Sequence, residues 1–156
     1  MSLQHELCFL EPFKNLAHET LLSIVVTGTL LVKEGHRILL PFSITEAQFN
    51  VLMLLKHQTE NGRMSQTRLG KMLLVNRSNV TGLIDRMEQV GWVRRTADIG
   101  DRRVNQVEIT ESGHEIIERS QKAYYTRIEE IMSVLSPEER KHLCRMLESV
   151  RESGIH

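Results

Sequence analysis

Hydrophobic positions near the amino end of the chain recur at helical spacing. They are Phe13, Leu16, Ala17, Leu21 and Ile24. They run into a continuous apolar segment at residues 21–32. This pattern predicts one long helix over about residues 11–37 that ends before Pro41. Because the middle of this helix is apolar nearly all round, we expect it to be buried against another protomer.

Start signals predict three more helices in the first two thirds of the chain. Thr45 and Gln48 have the spacing of a capping box, which predicts a second helix to about position 57. Ser65 is a suitable cap for a short helix to about position 72. Asn76 is a suitable cap for a longer helix to about position 90, and a glycine follows it as a stop.

After position 91 the pattern changes from the period of a helix to that of a strand. Residues 92–95 and 104–109 flank a polar turn at residues 96–103, which predicts a small β-hairpin. Thr110 caps a further helix, and Ser136, followed by Pro137 and by a glutamate at the third helical position, starts the last one. The predicted fold class is mainly α with a small hairpin. We expect the amphipathic terminal helices to pack together.

Two short helices, a tight turn and a hairpin are typical of a winged helix-turn-helix. In the helix after Asn76, the core face is formed by Val80, Leu83, Ile84 and Met87. The opposite face, centred on Gly82, is small and polar, which suits the major groove of DNA. Serine, asparagine and threonine are also ordinary capping and surface residues, so this helix alone leaves both interpretations open.

The charge distribution favours the DNA interpretation. The chain has 20 basic and 20 acidic residues, and a net charge of zero argues at first against a nucleic-acid partner. Residues 63–103, however, contain nine basic and four acidic residues, a local net charge of +5. The remainder contains 11 basic and 16 acidic residues, a net charge of −5. The basic excess therefore coincides with the predicted helix-turn-helix and hairpin.

Candidate DNA contacts follow from these positions. The residues predicted to contact bases are Ser78, Asn79 and Thr81. The residues predicted to contact phosphates are Arg68, Lys71, Arg77, Arg86 and Arg95, the last on the hairpin. The predicted contacts of the hairpin tip are Arg102 and Arg103.

Four sequence motifs closely resemble those of the MarR family of bacterial transcriptional regulators. They are SNVTGLIDRM at residues 78–87, GWVRR at 91–95, DIGDRR at 98–103 and ITESG at 109–113. The resemblance covers essentially the whole chain. It implies a single MarR-type domain over residues 1–156, with dimerisation helices at about 9–40 and 111–152 and a winged helix-turn-helix at about 45–109. The recognition helix corresponds to residues 76–90 and the wing to residues 96–105.

The wing motif departs from the family pattern. The family usually has DxRDxR, and this chain carries Gly100 where the first arginine is expected. The family role of the wing-tip arginine, insertion into the minor groove, transfers best to Arg103 or Arg102.

The resemblance implies a function in transcription. We expect a homodimeric repressor that binds double-stranded DNA at an inverted-repeat operator and is released by a small ligand, since family members often bind small aromatic acids. Two alternatives stay open. One is a thiol-based oxidant-sensing regulator acting through Cys8, and the other is a winged-helix module for protein–protein interaction.

Other features exclude further classes of function. The two cysteines, Cys8 and Cys144, are too distant in sequence to indicate a disulfide framework, which favours a reducing cytoplasm. Cys8 has no neighbouring cation besides His5, so we favour a packed, inert thiol over a sensor. Residues 21–32 are shorter than the roughly 20 residues that span a bilayer, so no membrane partner is predicted. No metal, cofactor or enzyme motif is recognised.

Overall fold

Helices account for most of the computed structural model, which describes residues 3–73, 77–97 and 105–154. Within these residues the helices are α1 (Leu3–Glu6), α2 (Leu16–Leu39), α3 (Glu46–His57), α4 (Gln66–Leu73), α5 (Arg77–Gln89), α6 (Glu111–Met132) and α7 (Pro137–Glu152). The strands are β1 (Arg63–Ser65), β2 (Val93–Ala97) and β3 (Asn105–Ile109). The predicted fold class, mainly α with a hairpin wing, is confirmed.

Most of the predicted helix starts are confirmed by their capping hydrogen bonds. Thr45 and Ser136 each form a complete capping box, in which the hydroxyl accepts a backbone N–H and the third helical side chain accepts the N–H of the cap. Ser65 Oγ accepts the N–H of Arg68 at 3.2 Å. Thr110 Oγ1 accepts the N–H of Gly113 at 3.1 Å. The predicted cap at Asn76 lies outside the described residues.

The predicted start of the long amino-terminal helix is wrong, whereas its predicted end before Pro41 is confirmed. The helix begins at Leu16, because the Asn15 side chain accepts the N–H of His18 at 3.1 Å and so caps the first turn. The apolar spacing continued to Phe13, but this ring instead packs against Phe9, with ring centroids 5.2 Å apart. At the other end the helix continues to Leu39 and passes into a 3₁₀ turn at Leu40–Phe42.

The hairpin belongs to a three-stranded antiparallel sheet with the order β1-β3-β2. The predicted hairpin of β2 and β3 is confirmed, with Val93 opposite Ile109 and Ala97 opposite Asn105. Strand β1 was not predicted, because three residues are too few to show an alternating pattern. Met64, at the centre of β1, is 2% exposed and lies opposite Val107.

The hydrophobic core is formed mainly by side chains of α3, α4, α5 and the three strands. Among the described residues, sixteen hydrophobic side chains are buried, and all but Leu39, Ile44 and Ile117 belong to residues 46–109. By contrast, α2 buries only Gly35 and Leu39, and α7 buries no residue. The predicted burial of the middle of α2 is therefore not achieved within one chain.

Helix α2 with its 3₁₀ turn has a further property. Among the described residues, Leu16–Phe42 is the one helical stretch that is long and apolar enough to cross a membrane. The core helices of proteins outside membranes can have the same length and composition. The segment of residues 21–32 underestimated this stretch, because apolar residues predominate over 18 consecutive positions of the helix.

Candidate nucleic-acid interface

Helix α5 presents a polar face away from the core. Its inner face is buried as predicted, with exposures between 0% and 6% at Val80, Leu83, Ile84 and Met87. Asn79, Thr81 and Arg86 are exposed on other sides of the helix. The side chains of Arg77 and Ser78, also predicted contacts, fall outside the described part of the chain. The described outer face consequently carries hydrogen-bonding groups and a cation and lacks bulky apolar side chains.

Gly82 lies near the middle of this outer face. A Cβ atom at this position would meet only Arg86 Nη1, at 3.5 Å, an ordinary van der Waals distance. Packing within the chain therefore does not require glycine here. Since glycine costs about 1 kcal/mol relative to alanine inside a helix, its presence favours a role on the outer surface, such as close approach of a nucleic-acid backbone.

The end of α5 is fixed by a turn that sends the chain back along the helix. Gly91 has a φ of 78°, and the N–H groups of Gly91 and Trp92 donate to the carbonyls of Glu88 and Met87, both at 3.0 Å. This is a Schellman motif. Thr110, the cap of α6, donates its hydroxyl to the Gly91 carbonyl at 2.6 Å. The start of α6 is thus joined to the end of α5.

Close packing at this junction depends on Gly113 in the first turn of α6. A Cβ atom there would lie 2.2 Å from the carbonyl oxygen of Trp92. Only glycine therefore allows α6 to approach the turn so closely. The contact holds the first turn of α6 against the turn that follows α5.

Three of the predicted phosphate contacts are free to bind an anion. Arg68 and Lys71 on α4 and Arg86 on α5 are exposed. Their side chains form no ion pair or hydrogen bond with the described residues. Binding to DNA phosphates would therefore not require these cations to leave an existing partner.

The neighbouring arginines of β2 point to opposite faces of the sheet and have different partners. Arg94 donates to both carboxylate oxygens of Glu108 on β3, at 3.1 and 3.0 Å. Arg63 on β1 donates to the same carboxylate at 3.3 Å. The hydrogen bond from Arg94, together with Arg63, outweighs burial and lowers the pKa of Glu108. This ion-pair group joins all three strands.

Arg95, predicted as a phosphate contact, is engaged inside the protein. Its guanidinium lies 2.5 Å from Asp85 Oδ1 and 2.5 Å from Glu88 Oε2, both on α5. Burial lowers its pKa, but the hydrogen bonds and charges of the two carboxylates together raise it. The sequence reasoning missed this group, although two acidic residues near the end of a helix in a basic region were a signal that a cation lies nearby.

The tip of the wing lies outside the described residues. Arg102, Arg103 and Gly100 belong to residues 98–104, which join Ala97 at the end of β2 to Asn105 at the start of β3. Ala97 and Asn105 form the last described pair of the hairpin, at the end opposite to Val93 and Ile109.

Both cysteines are exposed, so the expectation of a packed thiol at Cys8 is wrong for a single chain. Cys8 follows α1, in a turn with a φ of 54°. In the described part of the chain, no group of three or more histidine, cysteine, aspartate or glutamate side chains could hold a metal ion.

Two clefts lie away from the outer face of α5. One of about 420 Å³ runs along α6 and is lined by Arg119, Lys122, Ala123, Thr126, Arg127 and Glu130. The other, of about 230 Å³, is lined by residues of α3 and α4, namely Asn50, Met53, Leu54, Met72 and Leu73.

Comparisons with known proteins agree with this geometry. A sequence model of the MarR family matches residues 44–104. The HTH-type transcriptional regulator PecS of Dickeya dadantii (strain 3937) is 29% identical over 115 residues, which cover 74% of this chain and 69% of PecS. The uncharacterised HTH-type transcriptional regulator YkoM of Bacillus subtilis (strain 168) is 32% identical over 109 residues, which cover 70% of this chain and 67% of YkoM.

A solved structure in complex with DNA is also similar. It is that of Sco3205, a MarR family transcriptional regulator from Streptomyces coelicolor. The TM-score is 0.80 and the sequence identity 26%, and the match covers 92% of this chain and 91% of Sco3205.

Proposed function

The chain belongs to the MarR family of transcriptional regulators, which are not enzymes, and we propose that it is a homodimeric repressor released from DNA by a small aromatic ligand. The observation that carries the proposal is the outer face of α5. It is polar and exposed, has glycine at its centre, and is flanked by the free cations Arg68, Lys71 and Arg86. A helix of this kind has the size and chemistry to enter a major groove while the cations meet the phosphates.

Each candidate residue has a proposed role in the complex. Ser78, Asn79 and Thr81 contact base edges near the start of α5. Arg68, Lys71, Arg77 and Arg86 contact phosphates, and Arg102 or Arg103 enters the minor groove from the wing. The DNA complex of Sco3205 supports this general mode of binding, since its fold matches nearly all of this chain.

The proposed dimer covers the exposed apolar side chains of the terminal helices. On α2, Leu21, Val25 and Val32 are each more than half exposed. On α7, Met146 is 48% exposed and Val150 is 39% exposed. Faces of this kind on a small water-soluble regulator are typical of protein–protein interfaces. With two-fold symmetry, the operator is an inverted repeat whose half-sites lie about 34–36 Å apart, or one helical turn.

Release by a ligand requires that a change at the terminal helices α2 and α6 reaches α5. Glu34 on α2 binds Arg127 on α6 at 2.6 Å, and the cap of α6 binds the carbonyl of Gly91 at the end of α5. A ligand that binds beside α2 and α6 and prefers a different spacing of the two recognition helices would lower the population that fits the operator. The proposed place of action is the bacterial cytoplasm.

Selection from a random library of DNA duplexes tests this function. The recovered sequences are expected to contain an inverted repeat, and binding to it is expected to weaken steeply as salt increases. A scrambled duplex of the same composition is the control. Recovery of no preferred sequence would contradict the proposal and favour a module for protein–protein interaction.

Cys8→Ser distinguishes the thiol-based alternative. For a regulator released by a small ligand, this variant and the native chain are expected to keep the same operator affinity before and after treatment with peroxide. A peroxide-dependent release that disappears in Cys8→Ser would instead support oxidant sensing.

A further inference from the structure

Three charged side chains join α5 to β2, the first strand of the hairpin. The two guanidinium contacts of Arg95 with Asp85 and Glu88 are supplemented by the backbone. The N–H of Arg95 donates to Glu88 Oε1 at 2.9 Å, and Arg95 Nη2 lies 3.5 Å from the carbonyl oxygen of Thr81. The Arg95 side chain is only 25% exposed. One residue of the strand thus contacts three residues of the helix.

The negative charges of Asp85 and Glu88 are unfavourable at these positions unless a cation pairs with them. Both lie in the last turns of α5, where the helix dipole disfavours negative charge. They also belong to the segment of residues 63–103, in which basic residues outnumber acidic ones by nine to four. Near DNA they would repel phosphates. Arg95 offsets both costs, and it is the cation that pairs with them among the described residues.

The contact also occupies the free edge of the sheet. In the order β1-β3-β2, strand β2 is an edge strand, and Arg95 lies opposite Val107 of β3. The N–H of Arg95 is directed to the Glu88 carboxylate and so is not left open at the edge. The strand is therefore fixed to α5 through its main chain as well as its side chain.

We infer that Arg95 is a positioning residue, not a phosphate contact: with Asp85 and Glu88 it forms a clamp that holds the recognition helix and the wing in one fixed orientation. This inference rests on the proposed DNA interface. Because α5 and the wing must enter neighbouring grooves together, their relative orientation determines whether both can bind. The clamp makes the helix and the strand that carries the wing move as one unit.

Replacing the two carboxylates distinguishes the two possible roles of Arg95, because one role predicts a higher affinity for the operator and the other a lower affinity. If Arg95 binds phosphate, the variant Asp85→Asn/Glu88→Gln frees it and removes two negative charges, and affinity for the operator rises. If Arg95 belongs to a clamp, the same variant lowers affinity despite the more favourable net charge. Arg95→Gln is expected to lower affinity to a similar extent, about tenfold, as for loss of a charge-assisted contact.

Salt titration of operator binding gives a second, independent readout. A phosphate contact contributes about 0.9 to the slope of log K against log salt concentration, so its loss would reduce the slope by that amount. We expect the salt slope of Arg95→Gln to equal that of the native protein. We also expect the triple variant Arg95→Gln/Asp85→Asn/Glu88→Gln to bind the operator no more weakly than Arg95→Gln alone. A reduced slope, or tighter binding by the carboxylate variant, would overturn the inference.

Hydrogen exchange in the absence of DNA separates failure of the clamp from failure of the proposed function. Amides of residues 93–97 are expected to exchange faster in Arg95→Gln and in the carboxylate variant than in the native protein. Arg145→Gln is the control, since this exposed arginine on α7 forms no ion pair with the described residues. If Arg95→Gln does not fold, as judged by circular dichroism, Arg95→Lys keeps the charge and repeats the test. Unchanged exchange in the clamp variants would overturn the inference whether or not the protein binds DNA.

Discussion

The reading lobe, residues 46–109, and the helical body, formed by α2, α6 and α7, bury their hydrophobic side chains to very different extents. Thirteen of the sixteen buried hydrophobic residues in the described chain belong to the lobe. In the body, α7 buries no residue, and α2 leaves Leu21, Val25 and Val32 more than half exposed. The lobe therefore holds most of the core, which Leu39 of α2 and Ile117 of α6 complete, whereas α2 and α7 bury almost nothing within a single chain.

This difference suits two separate roles in a DNA-binding regulator, orientation of the recognition helix by the lobe and assembly by the body. The lobe must hold α5 and the wing in a fixed geometry, so its contacts are internal. The body gains stability only when another surface covers it, since each fully buried aliphatic side chain contributes about 1.5–3 kcal/mol. In the proposed homodimer this surface belongs to the second chain, so assembly would set the spacing of the two recognition helices.

The largest expected effect is a loss of stability when the core of the lobe is reduced. Ile84 on α5 is 0% exposed, so Ile84→Ala should lower the free energy of unfolding by about 2–5 kcal/mol, measured by urea denaturation. Val134→Ala is the control, because Val134 is 83% exposed, and its effect should stay within about 0.5 kcal/mol. Equal effects of the two substitutions would contradict the contrast between lobe and body.

The next effect concerns assembly. Met146→Lys/Val150→Lys introduces two charges on the apolar face of α7 and should weaken self-association at least about tenfold, because two partly buried side chains are lost from the interface. Sedimentation velocity over a range of protein concentrations measures it. The control Lys141→Ala changes an exposed cation near the start of α7. Unchanged association of the lysine variant would show that this face of α7 is not the dimer interface.

The sequence predicted the elements of the lobe well, because local signals determine them. Capping residues such as Thr45 and Ser65, and the periodic core face of α5, depend on near neighbours in the chain. Strand β1 was missed because it exists only by pairing with β3, 45 positions later at Arg63 and Glu108.

The candidate site was predicted less completely, for a related reason. The exposed positions of Asn79, Thr81 and Arg86 follow from helix periodicity. The partners of Arg95 do not, because a charge count cannot tell a cation that faces solvent from one that folds back on a helix. That Arg95 pairs with Asp85 and Glu88 becomes visible only when the structure places β2 beside α5.

A smaller effect is expected for single phosphate contacts. Arg68→Ala and Arg86→Ala should each reduce the salt slope of operator binding by about 0.9 and leave the preferred DNA sequence unchanged. Anisotropy of a labelled duplex over a range of salt concentrations measures this. Arg145→Ala, which removes an exposed cation of α7, should leave the slope unchanged. If Arg68→Ala and Arg86→Ala kept the native slope, as Arg145→Ala is expected to, neither Arg68 nor Arg86 would contact a phosphate.

The smallest expected effect is the pH dependence of the polar link in the body. Hydrogen bonds from Arg37 and Arg127 lower the pKa of Glu34. Its contribution to stability is therefore present above the ordinary glutamate pKa, about 4.3, and is lost as the pH falls through the lowered value. Thermal melting between pH 7 and pH 3 should show a smaller decline in Glu34→Gln than in the native protein. The exposed Glu115, changed to Gln, is the control, and a decline as steep in Glu34→Gln as in this control would contradict the assignment.

The proposed dimer joins two chains through the exposed apolar faces of their helical bodies, and each chain contributes one reading lobe to the DNA. The stoichiometry and salt dependence of operator binding test this claim most directly. Sedimentation and anisotropy should be measured on the selected inverted repeat and on a duplex that contains one half-site. Two chains are expected on the inverted repeat, with much weaker binding to the half-site and a steep loss of affinity with salt. One chain per duplex, with equal affinity for the half-site and the full site, would contradict it.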